Sequence, residues 1–205
     1  MKITGGELQG RQIPYKERKG RRATSEKVRM AVFNMLGNMV DFEGLKVADL
    51  FAGSGMYGLE ALSRGARSVT FVDSDRESIR EIDRNLSKFV EIEKSQYKTI
   101  CCDFERFCRD TIHRVFKRDV KSKQQDTMYR VSTSNTKFDL IFADPPYYDF
   151  DFQKLAQVAK ILAKDGVFVV ESGRRTNIDC LGDFFEITKE KVYGDTKVVF
   201  CKLKI

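Results

Sequence analysis

The stretch that decides the fold is Asp49-Leu-Phe-Ala-Gly53-Ser-Gly55-Met-Tyr-Gly58. It begins in a hydrophobic run, 46–51, that predicts a buried strand, and it leads into a segment with helical spacing, 56–64. Glycines in a GxGxxG spacing between a strand and a helix permit a tight turn and a close approach to a bound cofactor. Asp73 ends the next predicted strand, as the acidic residue of a nucleotide-binding unit does. The sequence therefore predicts a cofactor loop at this turn.

Asp49 favours S-adenosylmethionine (SAM) over a nicotinamide dinucleotide at that loop. It lies four residues before Gly53, at the carboxyl end of the strand, where its charge would repel a pyrophosphate. SAM has no phosphate, and its sulfonium and α-ammonium are cations that a carboxylate neutralises. Asp73 would accept from ribose hydroxyls with either cofactor. A structural role for Asp49, capping the turn, stays open at this point.

A third acidic residue follows a third predicted strand, 98–102. We expect Asp103 to accept from the adenine amino group and Phe104 to contact the adenine ring. Three successive strands then end in an acid, on the edge where open α/β sheets bind ligands. The residues predicted to bind the cofactor are Asp49, Phe51, Gly53, Gly55, Asp73, Asp103 and Phe104.

The rest of the chain after residue 45 alternates strands with helices. This alternation predicts βαβ units, and hence an α/β fold with a mostly parallel sheet covered on both faces. The tail differs, because 185–193 and 197–203 predict a hairpin that turns at Gly194-Asp195. The remaining predicted strands are 68–73, 138–143 and 167–171, and the remaining predicted helices are 77–89, one from about 105, and 152–163.

Positive charge is concentrated in two segments. The chain of 205 residues has 37 Lys and Arg against 30 Asp and Glu, a net charge of +7. Residues 1–36 hold nine basic and three acidic residues, and 109–137 hold eight basic and three acidic, which leaves a net −4 elsewhere. This segregation favours a polyanionic partner over a merely solubilising surface.

The same segments suggest the domain organisation. We predict a basic N-terminal extension, 1–36, made of a small hairpin and a helix capped by Thr24 or Ser25. A catalytic domain, 37–205, follows, with a basic insertion at 109–137.

Several classes of protein are excluded by composition. Five scattered cysteines without a CxxC spacing, and the lone His113, do not supply a zinc site or a Ser-His-Asp triad. We therefore expect no metal, and reduced thiols. No apolar run approaches the roughly 20 residues of a membrane span, and the N-terminus lacks a signal-peptide core. A soluble, cytoplasmic and monomeric protein is expected.

Asp144-Pro145-Pro146-Tyr147 is the second motif with chemical content. Proline fixes φ and has no N–H donor, so the stretch presents acceptors, namely the Asp144 carboxylate and the Pro145 carbonyl. Two rigid acceptors suit an exocyclic amino group, whose lone pair they would aim at an electrophile. If that amino group belongs to a nucleic-acid base, Tyr147 would stack on the base. Enzymes that modify bases commonly extrude the nucleotide into such a pocket. Asp144, Pro145, Pro146 and Tyr147 are the predicted catalytic residues.

Together the stretches DLFAGSGMYGLEALSRGA (49–66), DPPY (144–147) and TSEKVRMAVFNML (24–36) resemble the bacterial RsmD family. The resemblance implies a Rossmann-like, SAM-dependent methyltransferase with a seven-stranded sheet and one antiparallel strand. It also implies methylation of a guanine N2 amino group in 16S ribosomal RNA, free or in a small-subunit particle. The residues expected to contact that RNA are Arg18, Lys19, Arg21, Arg22 and Thr24.

Two features depart from the family pattern. Arg22-Ala-Thr24 stands where the family has Arg-Pro-Thr, and the 109–137 segment is longer than usual. Three alternatives stay open: a methyltransferase for DNA adenine N6 or cytosine N4, a nicotinamide-dependent oxidoreductase, and a non-catalytic RNA-binding protein of the same fold.

Overall fold

A seven-stranded sheet with the order β3-β2-β1-β4-β5-β7-β6 forms the centre of the computed structural model, which describes residues 1–15, 25–122, 137–147 and 150–204. Strand β7 is antiparallel to both of its neighbours, and the pairs among β1 to β5 are parallel. The predicted mostly parallel α/β sheet with one antiparallel strand is confirmed. The strands are β1 Lys46–Leu50, β2 Ser68–Asp73, β3 Tyr97–Cys101, β4 Phe138–Ala143, β5 Leu162–Gly173, β6 Phe185–Tyr193 and β7 Thr196–Leu203.

The helices lie between these strands, with one difference from the prediction. The helix expected at 152–163 is a 3-10 helix, Phe152–Gln157, followed by a single α-helical turn, and β5 begins at Leu162. Leu162 is extended and pairs with Phe138 across an irregularity in the β4–β5 register, so the strand starts before the Asp165-Gly166 turn signal. The α-helices are α1 Glu26–Leu36, α2 Met56–Ser63, α3 Arg76–Leu86, α4 Phe104–Ser122 and α5 Val158–Ile161.

Both faces of the central strands β1, β4 and β5 are largely buried, as is usual for parallel strands. Successive residues of one strand enter opposite cores: Val47 packs into one cluster and Ala48 into the other. Neither core contains a helix long and apolar enough to cross a membrane, and no such helix occurs elsewhere in the described ranges.

The N-terminal residues pack on the first of these cores. Lys2 and Gln12 form an antiparallel bridge, and Ile3 and Leu8 are buried in the same cluster as Phe33 of α1 and the sheet residues of that face. The N-cap of α1 is Ser25, whose hydroxyl accepts from the Val28 N–H. The division of the chain at residue 36 stays a prediction.

Candidate active site

The predicted site residues converge on the carboxyl edge of the sheet. β1 lies between β2 and β4, and Leu50 is in register with Val72 on one side and Ala143 on the other. Chain order therefore reverses at β1, which is where open α/β sheets bind their ligands. The glycine turn after β1 and the Asp144–Tyr147 segment after β4 leave adjacent strands at this crevice.

The glycine turn is built around the Asp73 carboxylate. Gly53 and Gly55 have φ of 52° and 73°, in the left-handed region that favours glycine. The Gly53 N–H donates to Asp73 Oδ2 at 2.8 Å, and the Asp75 N–H donates to Oδ1 at 2.8 Å. The turn and the end of β2 are thereby fixed to one another.

Asp49 lies beneath this turn and is 3% exposed. Its Oδ2 accepts from the N–H of Gly58, in the first turn of α2, at 2.9 Å. The turn-capping role that the sequence left open is therefore present. Burial raises the pKa of Asp49 to about 8, the hydrogen bond from Gly58 opposes the rise, and the charge of Asp73 adds to it.

Phe51 and Phe104 form an aromatic cluster at the same edge. Phe51 has a φ of 60°, the single positive φ outside glycine in the described part of the chain. Its ring stacks on Phe104 with centroids 5.3 Å apart and meets the edge of Phe150 at 5.1 Å. Asp103 is exposed instead, and its Oδ1 accepts from the Arg106 N–H at 2.8 Å, near the start of α4. The structure thus brings Phe51 and Phe104 together and leaves Asp103 at the surface.

The Asp144–Tyr147 segment is tied to β5 through a glutamate. Within the segment Pro145 is buried, Pro146 is exposed, and Asp144 and Tyr147 are half-buried. The Tyr147 hydroxyl donates to Glu171 Oε1 at 3.0 Å. The hydroxyl of Tyr57, in α2, donates to Glu171 Oε2 at 2.8 Å. One carboxylate, 4% exposed, therefore joins α2, which follows the glycine turn, to the Asp144–Tyr147 segment.

Both tyrosine hydroxyls remain protonated at neutral pH. Burial, followed by the charges of Asp144 and Glu171, raises the pKa of Tyr147 far above its ordinary value. Burial and the charge of Glu171 do the same for Tyr57, whose ring stacks on Phe142 with centroids 4.7 Å apart. Each hydroxyl therefore keeps the proton that it donates to Glu171.

The sequence analysis missed Glu171 and Tyr57. Glu171 closes the run 167–171, so the rule that singled out Asp49, Asp73 and Asp103 also applied to it. Tyr57 lies inside the quoted glycine motif. Its link to a residue 114 positions away depends on the order of the strands, which carries no local signal.

The remaining predicted residues lie apart from this crevice. Arg18, Lys19, Arg21, Arg22 and Thr24 fall outside the described residues, as does the 123–136 part of the basic insertion. His113 is exposed on α4, as expected of a surface histidine. All five cysteines are free thiols, and burial raises the pKa of Cys108 and Cys201 to about 12. Nowhere in the described ranges do three or more His, Cys, Asp or Glu side chains cluster as metal ligands.

A doubly wound sheet of this order, with a glycine turn after β1 and Asp-Pro-Pro-Tyr after β4, defines the class of Rossmann-like methyltransferases. The family described as "Conserved hypothetical protein 95" matches residues 1–202, and the chain belongs to that family. The resemblance to the RsmD family and the prediction of a methyltransferase are confirmed.

Similar proteins span nearly the whole chain. "Putative rRNA methyltransferase YlbH" of Bacillus subtilis is 31% identical over 98% of this chain and 98% of its own length. "Ribosomal RNA small subunit methyltransferase D" of Escherichia coli K12 is 28% identical over 95% of this chain and 85% of its own. The solved structure of "Putative methyltransferase yhhF from Escherichia coli" superposes with a TM-score of 0.73 at 23% identity, covering 100% of this chain and 98% of that one.

One further structural neighbour carries a bound ligand. Its title is "Crystal structure of SMU.776, a putative methyltransferase complexed with SAH", and it superposes with a TM-score of 0.61 at 15% identity. The match covers 85% of this chain and 49% of that one, and it bears on the fold alone.

Proposed function

We propose that this protein is a SAM-dependent RNA methyltransferase that methylates the exocyclic N2 amino group of a guanine in small-subunit (16S) ribosomal RNA. The observation that carries the proposal is the shared edge of the sheet. There the glycine turn and the Asp144–Tyr147 segment leave neighbouring strands and are joined through Glu171.

The residues of the glycine turn suit SAM. The N–H groups of Gly53 and Asp75 hold the Asp73 carboxylate at the end of β2, where it can accept from ribose hydroxyls. Asp49 is a buried carboxylate whose charge is costly without a cation, and the cofactor provides one. The half-buried Phe51, stacked on the buried Phe104, offers apolar ring surface at the same edge of the sheet for the adenine. When bound, SAM supplies a methyl group that is already activated for transfer by its cationic sulfur.

Asp103, the proposed acceptor for the adenine amino group, is expected to contribute less to cofactor binding than Asp73. Its Oδ1 is engaged by the Arg106 N–H, and the residue is exposed. We retain it as an acceptor through its second oxygen, where water competes with the ligand. Asp103→Ala is therefore expected to weaken cofactor binding less than Asp73→Ala.

The protein's own contribution to the reaction is orientation and charge. The Asp144 carboxylate and the Pro145 carbonyl accept the two hydrogens of the amino group and direct its lone pair toward the cofactor. Tyr147 covers the base, and Glu171 holds the Tyr147 hydroxyl, so the ring keeps one orientation. The bond from the nitrogen to the methyl carbon would replace that carbon's bond to sulfur, leaving neutral S-adenosylhomocysteine, and the nitrogen would release one proton, which Asp144 is placed to accept.

The test is methyl transfer from tritiated SAM to RNA isolated from a strain that lacks this gene. We expect N2-methylguanine in the digested RNA by mass spectrometry, and no label in DNA. Asp144→Ala should lose at least about a thousandfold in rate, since it removes both an orienting acceptor and the proton acceptor. S-adenosylhomocysteine should bind this variant as it binds the unmodified protein.

Asp165→Ala serves as the matched control, because Asp165 is exposed near the amino end of β5, away from the crevice. Near-normal methylation by Asp144→Ala would overturn the role of the motif. Label in DNA adenine or cytosine would favour the DNA methyltransferase alternative. Binding of NADH in place of S-adenosylhomocysteine, measured by calorimetry, would favour the oxidoreductase.

A further inference from the structure

A turn with two arginines at its central positions follows β5 and begins two residues after the buried Glu171. The Thr176 N–H donates to the Gly173 carbonyl at 2.9 Å, which closes a turn with Arg174 and Arg175 at its two central positions. Both side chains are exposed. Within the described residues, neither guanidinium forms an ion pair with a carboxylate.

The turn is held from outside, so the arginines are not needed to form it. The Arg174 N–H donates to the Asp195 carbonyl at 2.7 Å, and Lys197 Nζ donates to the Thr176 carbonyl at 2.7 Å. Turn centres usually carry glycine, asparagine, aspartate or proline, which favour the backbone geometry. The bonds that close and hold this turn are made by its backbone and by Lys197, and not by the two arginine side chains.

This turn lies against the Asp144–Tyr147 segment. Gly173 approaches Tyr147 so closely that a Cβ on the glycine would be 3.5 Å from Tyr147 Cδ2. Tyr147 is also hydrogen-bonded to Glu171, two residues before Gly173. The arginine positions and the proposed base-stacking ring are therefore both fixed to the end of β5.

The exposed charge at this turn is positive, because Arg174 and Arg175 face one exposed carboxylate, that of Asp195 in the β6–β7 turn. Of the other charged groups nearby, Glu171 and Lys197 are buried and Asp144 is half-buried in the crevice. Guanidinium groups match the geometry of phosphate oxygens and bind them as forks. A base held by Tyr147 brings its own backbone phosphates to this rim of the crevice.

We propose that Arg174 and Arg175 form a phosphate-binding site for the RNA backbone next to the extruded nucleotide. The site rests on the proposed function for the identity of the polyanion as RNA. It lies on the catalytic domain itself, separate from the basic N-terminal extension and from the 109–137 insertion. Its task is to hold the backbone while the base occupies the crevice.

The test measures binding of a fluorescein-labelled single-stranded RNA oligonucleotide by anisotropy at several salt concentrations. The double variant R174A/R175A should bind roughly tenfold more weakly at about 0.1 M salt. It should also lower the slope of log affinity against log salt by about 1.4, since each phosphate contact to a single strand contributes about 0.7. S-adenosylhomocysteine affinity and the melting temperature should match those of the unmodified protein.

The matched control is K202A/K204A, which removes the same charge from exposed positions at the other end of β7. It should retain the unmodified slope. An unchanged slope in R174A/R175A, or equal losses in both double variants, would overturn the site, because either result makes the effect one of net charge. These outcomes are independent of methyl transfer. Absence of N2-methylguanine formation by the unmodified protein would reject the proposed function, whereas the binding data would still decide the phosphate site.

Discussion

Glu171 is the residue on which the geometry of the crevice depends most. Its two oxygens each receive one tyrosine hydroxyl, from Tyr57 at 2.8 Å and from Tyr147 at 3.0 Å. Bonds of this kind to a buried charge are among the stronger ones in proteins, about 1.5–3 kcal/mol each. We therefore treat Glu171 as a positioning residue that acts through Tyr147.

Glu171→Gln should reduce the rate of methyl transfer about tenfold, because an amide accepts at one of its two ends only. Tyr147→Phe should cause a similar loss, and the double variant should be no slower than either single one. S-adenosylhomocysteine affinity should change little. Single-turnover rates of the two single variants and the double variant measure this coupling. Glu190→Gln, on the exposed edge strand β6, is the control. Additive losses in the double variant would mean that Glu171 does not act through Tyr147.

Asp49 gives the protein a pH dependence. Its pKa of about 8 in the folded chain lies above the ordinary value, so folding takes up a proton between the two pKa values. The free energy of unfolding should therefore fall, through this group, as the pH rises from about 4 to about 8. Asp49→Asn keeps an acceptor for the Gly58 N–H and removes the charge, so it should raise the melting temperature at pH 8.

Cofactor binding should show the opposite trend at this residue. The α-ammonium of S-adenosylhomocysteine favours the ionised Asp49, so affinity for this product should rise by up to about tenfold per pH unit below 8. Calorimetry in buffers with different ionisation enthalpies should detect the released proton. Asp49→Asn should bind more weakly and without proton release. An equal pH dependence in the variant would assign the titration to another group.

At the scale of elements, a buried ion pair joins α1 to α2. Arg29 and Glu60 are both fully buried, and Arg29 Nε lies 3.1 Å from Glu60 Oε1. The same oxygen accepts from the Thr4 N–H at 2.6 Å, and Arg29 also donates to the Lys2 carbonyl. One pair thus links the N-terminal bridge, the first helix and the helix that begins at the glycine turn.

Arg29→Met should lower the free energy of unfolding by about 3 kcal/mol, because it removes the buried partner of Glu60 and leaves that carboxylate to Arg64, whose Nε lies 3.6 Å from Oε2. Adding Glu60→Leu should recover part of the loss, since the buried carboxylate is then gone. Urea unfolding measures both. Arg84→Met, which breaks an exposed pair with Glu77, should cost about 1 kcal/mol or less. Equal costs for the two arginine variants would contradict a structural role for the buried pair.

At the scale of the whole molecule, the charge of the chain is divided between a net acidic body and basic segments. We expect the N-terminal extension to bind RNA phosphates through Arg18, Lys19 and Arg21. Reversing these three to glutamate should weaken RNA binding and flatten its salt dependence, while cofactor affinity stays the same. Filter binding over a range of salt concentrations is the measurement.

The control for that prediction reverses Lys164, Lys202 and Lys204, three exposed residues outside the N-terminal extension. An equal loss in the control would mean that total charge, rather than its location, governs RNA affinity. Unchanged RNA affinity in the extension variant would mean that the charge of this segment serves solubility and not RNA binding.

Much of the fold could be predicted because its signals are local. The predicted strands 68–73 and 138–143 coincide with β2 and β4, since runs of apolar residues bounded by turn signals suffice to mark them. The prediction of a helix over 152–163 was wrong in part. Its apolar spacing is compatible with a helix, but pairing of Leu162 with Phe138 draws the chain into β5 instead.

The sequence by itself determined where the cofactor turn and the acceptor segment lie. Glycines permit the left-handed turn, and prolines fix φ, whatever surrounds them. Only the tertiary structure decided which side chains meet. Glu171 reaches Tyr57 and Tyr147 across 114 and 24 residues, and the arginine turn lies against Tyr147, because β1, β4, β5 and β7 are neighbours in the sheet. Strand order is set by the burial of both faces at once, a property of the whole chain that no local pattern encodes.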